Sequence, residues 1–285
     1  MSQWDLEALH ARIRHPGRER YPAGSPDDAE VARYHALLRR TLERRRSLSR
    51  NTVLVLGMTP ELRRLAIALD CNVITIDSSP LAIETYRDWL SPSERRHERV
   101  LQGDWLEVPA LLDGPVDAVL GDGVFGNLQT LAAHRALLRA LAAWLAPEGA
   151  LIMRNILIPD PFPLVEHAAE RLVQAFREGF LDEFEFGFAM RIWGSFAQAY
   201  DNDTLLLDNA CVYTRYDQWL ADKRLTPSEH ALIRRYYFAG KNLVPPQSVL
   251  ASLLRDAGFA VEWQALAGRA WYAYYPIHCC ERHVP

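Results

Sequence analysis

Between residues 52 and 155 the chain repeats one pattern, a short apolar run that ends on glycine or aspartate followed by an amphipathic helix. Thr52-Val-Leu-Val-Leu56 closes on Gly57, Asn72-Val-Ile-Thr-Ile76 on Asp77, Arg99-Val-Leu101 on Gly103-Asp104, and the run over 116–120 on Gly121-Asp122-Gly123. A fifth run opens at Ala150 after the turn Pro147-Glu-Gly149, and helices are predicted over 60–69, 80–90 and 128–145. Runs this short and apolar, bounded by turn residues, are strands buried on both faces. Strands that alternate with helices pair in parallel and carry helices on both sides of the sheet. The fold class is therefore α/β, with a doubly wound, mostly parallel sheet.

The rhythm stops at 156. Residues 156–244 hold 15 of the 29 aromatic residues, show helical stretches over 164–178, 216–221 and 228–238, and show no strand rhythm. They read as a helical, aromatic-rich cap inserted over the carboxyl ends of the strands. Phe176, Phe180 and Phe184, four residues apart, are expected to pack. A helix over 248–257, stopped by Gly258, and two strands over 259–263 and 271–275 resume the alternation, the strands as an antiparallel pair at the sheet edge. The first 50 residues are expected to be helical: Leu6, Leu9 and Ile13 share one face of a helix over 5–13, and Ser25 is the expected N-cap of a second helix at Ser25-Pro26-Asp27-Asp28. The division is an N-terminal helical lid (1–50), a Rossmann-like core (51–155 with 245–285) and the cap as substrate insertion.

Charge and cysteine usage narrow the partners. The formal net charge is −4, so no global basic field invites nucleic acid. Residues 1–50 do carry 11 Lys and Arg against 7 Asp and Glu, but Arg44-Arg45-Arg46 close a helix, where they complement its dipole. Cys71, Cys211, Cys279 and Cys280 lack metal-ligand spacing, so reduced thiols and no metal are expected. The apolar runs fall well short of the roughly 20 residues of a membrane span, and the N-terminus has no secretory pattern. A cytoplasmic protein with a small-molecule substrate, without nucleic acid or membrane, is the expectation; the oligomeric state stays open.

In an open parallel sheet, ligands bind beyond the carboxyl ends of the strands. Those positions here are Gly57-Met58-Thr59-Pro60-Glu61, Asp77-Ser78-Ser79, Gly103-Asp104-Trp105, Gly121-Asp122-Gly123 and Asn155. An aspartate 20 residues after a glycine turn suits a ribose diol, since a carboxylate accepts two hydrogen bonds. Pro60 offers no N–H and the turn is not glycine-rich, so a pyrophosphate is disfavoured and a nucleoside without phosphates fits better.

The blocks VLVLGMTPEL (53–62), VITIDSSPLAIE (73–84), LQGDW (101–105), DAVLGDGVFGNL (117–128) and LAPEGALIMRN (145–155) resemble the class I S-adenosylmethionine-dependent methyltransferase superfamily. The likeness covers about half the chain, and its first block departs from the family's glycine-rich loop, which leaves open how the methionine part of the cofactor is held. It implies a seven-stranded sheet and S-adenosylmethionine as cofactor or substrate. It further implies that Gly57, Met58 and Thr59 lie against the methionyl group and that Asp77 binds the ribose, with Ser78 beside the adenine. Asp104 and the Trp105 backbone N–H would meet the adenine edge, and Asp122 the methionyl ammonium. For the chemistry, Asn155 after the fifth strand and the aromatics Tyr21, Trp193 and Tyr200 are the candidates, since aromatic faces stabilise a desolvated sulfonium. His134 and His278 are not expected to act as bases, and no nucleophile pairing follows from spacing.

The resemblance implies a small-molecule methyltransferase that releases S-adenosylhomocysteine. The alternative is similar to the azetidine-2-carboxylate synthases on the same scaffold, in which the methionyl amine closes a four-membered ring and expels methylthioadenosine. A nucleic-acid methyltransferase is disfavoured by the acidic body and by the lack of an Asn/Asp-Pro-Pro-aromatic tetrad. A fold that binds the cofactor or a partner without turnover is the non-enzymatic reading.

Overall fold

The structure, a computed structural model, describes residues 21–45, 50–107, 112–159, 167–236, 238 and 240–282. The expected helix over 5–13 lies outside them, as do the first residues of the one over 164–178. In chain order, α1 (Asp28–Arg44) leads into β1 (Thr52–Leu56), α2 (Pro60–Ala68), β2 (Asn72–Asp77), α3 (Pro80–Arg87), β3 (Glu98–Gln102), β4 (Val116–Asp122), α4 (Leu131–Trp144) and β5 (Leu145–Arg154). The segment expected as the cap follows with α5 (Ala168–Arg177), α6 (Glu183–Ile192), α7 (Phe196–Ala199), β6 (Tyr200–Asp201), β7 (Leu206–Asp208), α8 (Asn209–Ala221), α9 (Pro227–Arg234) and β8 (Lys241–Leu243). The chain returns through α10 (Gln247–Asp256), β9 (Phe259–Gln264) and β10 (Ile277–Arg282).

Seven strands form one sheet in the order β3-β2-β1-β4-β5-β10-β9. The first five pair in parallel, and β10 runs antiparallel to both β5 and β9. Chain direction across the sheet reverses between β1 and β4, which is where a crevice opens at the strand ends. Period-two alternation assigns each β1 side chain to a layer. Val53 and Val55 pack with Tyr34, Leu38 and Leu62 on one face, while Leu54 and Leu56 pack with Leu137, Leu141 and Leu250 on the other.

Several boundaries differ from the sequence expectation, each for a local reason. The cap of α1 is Asp27, two residues after Ser25: its carboxylate accepts from the Glu30 N–H at 2.9 Å and Glu30 returns a bond to the Asp27 N–H. This is a reciprocal capping box. α1 packs its Tyr34, Leu37 and Leu38 into the sheet face as a core layer, and among the described residues before it Tyr21, Gly24 and Ser25 reach the strand ends. β5 starts at Leu145 because Pro147-Glu148-Gly149 is looped out of the strand, and the register against β4 shifts there. The expected strand over 271–275 is instead a 3-10 turn, Ala270–Ala273, whose Trp271 and Tyr272 are buried in the cap core, and the last strand begins after Pro276.

Phe186, Phe188, Met190, Tyr216 and Trp219 of the segment expected as the cap share a hydrophobic cluster with Ala23, Trp271, Tyr272 and Tyr274, and the segment carries a small sheet in the order β6-β7-β8 that the sequence did not announce. Phe176 stacks on Phe186 at 4.3 Å and Phe184 is half-buried, but Phe180 is 76% exposed because α5 has ended and Gly179 turns the chain. All four cysteines are free. His134 is buried, with Nε2 against the Phe125 and Leu128 carbonyls, and His278 is buried beside Trp263.

Candidate functional site

A cavity of about 220 Å³ lies at the carboxyl ends of β1, β2, β4 and β5, between the core and the cap. Nine of the twelve residues singled out in the sequence line it: Tyr21, Gly57, Met58, Thr59, Asp77, Ser78, Asp104, Trp105 and Asp122. The turn after β1 is shaped by Gly57, whose φ of +88° disfavours any residue with a Cβ. The Gly57 N–H donates to the Ile76 carbonyl at 2.8 Å, which holds the turn against the end of β2. A Cβ on Gly57 would lie 3.9 Å from Asp77 Oδ2 and 3.8 Å from the Trp105 ring, so these three residues face one space.

Asp77 is buried, and its Oδ1 accepts the Ser79 N–H at 2.8 Å. Burial raises its pKa to about 6, against a smaller lowering by the Ser79 bond. The Trp105 indole N–H donates to the Ile76 carbonyl at 2.9 Å, which lays the ring along the end of β2. Asp104 Oδ1 accepts the Leu106 N–H at 2.9 Å and so fixes the turn after β3. Adjacent strands thus present Asp104, Asp77, Gly57 and Asp122 in spatial order across the sheet.

At the other end of the cavity stands a buried ion cluster. Arg154 Nε donates to Asp122 at 2.7 Å, and its Nη1 donates to both Glu30 oxygens at 2.9 and 2.8 Å. Burial alone would lower the Arg154 pKa, but Asp122 and Glu30 hold it well above the ordinary arginine value. The guanidinium also lies 4.8 Å from the centre of the Tyr275 ring. From the cap comes Arg191, 7% exposed, with Nε donating to Asn209 at 3.2 Å and Nη2 to Asn242 at 2.8 Å. Asn242 in turn donates to the Gly126 carbonyl at 3.0 Å, which ties this arginine to the segment after β4.

Three candidates, Asn155, Trp193 and Tyr200, do not line this cavity. Asn155, the first residue after β5, is fully buried with Oδ1 accepting the Phe125 N–H at 3.1 Å, while Arg154 before it lines the cavity. Trp193 packs edge-on to Tyr274 at 4.2 Å, and Tyr200 stacks on Phe196 and donates to the Val244 carbonyl at 2.9 Å. Sequence reasoning missed Arg154, Arg191, Asn242 and Tyr275. Arg154 was one residue from the position chosen. Arg191 carried a signal that went unread, a lone charge inside the apolar run Gly-Phe-Ala-Met-Arg-Ile-Trp (187–193).

Neither protein-family profiles nor curated proteins match the chain. Solved structures do. The CcbJ methyltransferase from Streptomyces caelestis is 12% identical, with 94% of each chain covered and a TM-score of 0.57. The chain has the class I methyltransferase fold. A putative zinc-dependent alcohol dehydrogenase from Rhodobacter sphaeroides is 16% identical over 92% of each chain, with a TM-score of 0.52. The PH0226 protein from Pyrococcus horikoshii OT3 is 12% identical, over 92% of this chain and 95% of that one, at 0.51. Structures that share this fold carry different names, so the site has to argue the function. Among the described residues no group of His, Cys, Asp and Glu could hold a metal ion, and no helix is long and apolar enough to cross a membrane.

Proposed function

We propose that this chain binds S-adenosylmethionine at the β1–β4 crevice and transfers its methyl group to a small molecule. The observation that carries the reading is Asp77, a carboxylate buried at a strand end and facing the open space before Gly57. A buried carboxylate is held at a cost unless hydrogen-bond donors reach it, and a ribose diol supplies two. Asp104 and the Trp105 backbone lie one strand further out for the adenine, and the 5′ end then points past Gly57 toward Asp122. Gly57, Met58 and Thr59 line the methionyl part, and Ser78 flanks the base. Tyr21 is the remaining aromatic candidate for the sulfonium. In methyl transfer the acceptor's lone pair forms the new bond to the methyl carbon while sulfur keeps the electrons of the broken one, leaving S-adenosylhomocysteine. Such an in-line displacement gains most from alignment in a dry site.

A second reading is cyclisation. Its support is the Asp122–Arg154 pair at 2.7 Å. An aspartate already neutralised holds a substrate ammonium less firmly, so the methionyl ammonium more readily gives its proton to water and the free amine attacks its own side-chain carbon. That step forms a C–N bond, breaks a C–S bond and releases methylthioadenosine.

One experiment separates the two. Purified protein incubated with S-adenosylmethionine alone, followed by mass spectrometry, yields no product if an acceptor is needed. Methylthioadenosine above the spontaneous background, with an equal amount of cyclic amino acid, establishes cyclisation. Failure to bind the nucleoside at all overturns both. Cytoplasmic location, a small-molecule reaction without nucleic acid or membrane, and the division into lid, core and cap remain part of this proposal.

A further inference from the structure

Arg191 is a buried cation hydrogen-bonded to two neutral amides and lying 5.4 Å from the centre of the Phe238 ring, and among the described residues it has no acidic partner. Asn242 and Asn209 are fully engaged in holding it. Asn242 Oδ1 accepts from Arg191 and from Asn209 Nδ2 at 2.9 Å, Asn209 Oδ1 accepts Arg191 Nε, and Asn209 Nδ2 also reaches the Gly240 carbonyl at 3.0 Å. The guanidinium is therefore gripped along its Nε–Nη2 edge, and among the described residues Nη1 takes no hydrogen bond. A fixed planar donor set with one open edge and an uncompensated charge suits a carboxylate.

Its position says which carboxylate. With the adenine over β3, the ribose on Asp77 of β2 and the 5′ carbon passing Gly57 after β1, the next strands are β4 and β5, whose ends carry Asp122 and Arg154. The arginines lining the cavity there are Arg154 and Arg191. Arg154 already serves two carboxylates, Asp122 and Glu30. Arg191 reaches the same end from above: the Tyr275 hydroxyl, raised in pKa by burial, feels Arg191 as well as Arg154, Asp122 and Glu30. The turn after β1 compounds the need, because Met58-Thr59-Pro60 replaces a glycine-rich loop and Pro60 has no N–H to offer.

We infer that Arg191, oriented by Asn209 and Asn242, binds the carboxylate of the methionyl tail, so that the cap insertion supplies the anchor that the first loop gives up. This rests on the S-adenosylmethionine reading and holds for methyl transfer and cyclisation alike.

The test is a calorimetric comparison of S-adenosylhomocysteine with its decarboxylated counterpart, on wild type and on Arg191→Gln. Wild type is expected to prefer the carboxylate-bearing ligand by 30- to 100-fold. Arg191→Gln is expected to bind both equally, at the affinity wild type shows for the decarboxylated one, and Arg191→Lys to recover part of the preference. A preference that survives in Arg191→Gln overturns the inference and leaves this cation to an anionic acceptor. Should that variant fail to fold, wild type alone decides, since equal affinity for the two ligands also overturns it. If neither ligand binds wild type, the underlying nucleoside reading is what fails, and this inference falls with it.

Discussion

Arg63 and Arg191 are both buried arginines within one molecule, and they are treated in opposite ways. Arg63, fully buried on α2, donates Nε and Nη2 to Glu98 at 2.6 and 2.7 Å and Nη1 to the Tyr86 carbonyl at 2.9 Å. Glu98 also accepts the Thr75 hydroxyl at 2.6 Å, so cation and anion close on each other with every edge used. Such a pair is complete in the folded chain and has nothing left for a ligand. Arg191 is oriented just as firmly, but by groups that bear no charge. Arg154 lies between them, with two acids around one cation at the cavity's edge. Burial of an ion is expensive and tolerated where its counter-charge is present or arrives. The charge left open, rather than the buried charge as such, marks where a ligand is expected.

The most forceful way to break this contrast is Arg63→Ala. It strands Glu98 in the interior, and removal of one partner of a buried pair costs about 3–5 kcal/mol. Urea unfolding should show that loss, whereas Arg191→Gln, which removes a charge without orphaning an acid, should stay within about 1 kcal/mol of wild type. Equal losses in the two variants would erase the distinction.

Asp77 sharpens it from the acidic side. Its pKa rises from 3.8 in the unfolded chain to about 6 in the fold, through burial. Between those values the folded state keeps a proton that the unfolded state releases, so this group favours folding below pH 3.8 and that contribution is lost as pH rises through about 6. At pH 8 the ionised carboxylate costs about 3 kcal/mol relative to an unshifted one. Asp77→Asn should therefore unfold at higher urea than wild type at pH 8 and at nearly the same urea at pH 4. Its affinity for S-adenosylhomocysteine should fall at least tenfold, because an amide accepts one less charge-assisted bond from the ribose. In wild type the affinity should weaken about tenfold per unit below pH 6, and Asp77→Asn should flatten that slope. A variant that is both less stable at pH 8 and unimpaired in binding would remove Asp77 from the site.

How much of this was legible in the sequence follows from distance along the chain. β1 to β4 and the residues that follow them are local features, an apolar run and the turn after it, so Gly57, Asp77, Asp104 and Asp122 could be placed at one rim before any coordinates. Arg154 rather than Asn155 lines the cavity, and the sequence could not tell them apart because burial on both faces hides which way the end of β5 points: Leu151, Ile152 and Met153 are equally apolar. The stretch 271–275 reads as a strand because four of its five residues are aromatic, a composition common in strands, yet Trp271, Tyr272 and Tyr274 serve the cap core, and aromatic enrichment does not say which core. The Arg191 site was out of reach for another reason. Its parts come from α6, the start of α8, β8 and the turn after β4, brought together by the cap's tertiary packing, which no local pattern encodes.

The smallest expected effect tests the border between cap core and cavity. Tyr200 was a candidate for the sulfonium, but its hydroxyl donates to the carbonyl of buried Val244, and its ring stacks on Phe196 at 4.2 Å. Tyr200→Phe keeps the stacking and deletes one hydrogen bond, which is worth about 1 kcal/mol net. The expected result is that loss in urea unfolding with affinity for S-adenosylhomocysteine unchanged within twofold. The comparison with Arg191→Gln is then complementary: at a similar small change in stability, Tyr200→Phe spares the ligand and Arg191→Gln weakens it. A tenfold loss of affinity in Tyr200→Phe at unchanged stability would mean that the cavity extends past Val244 and that the cap core is part of the site.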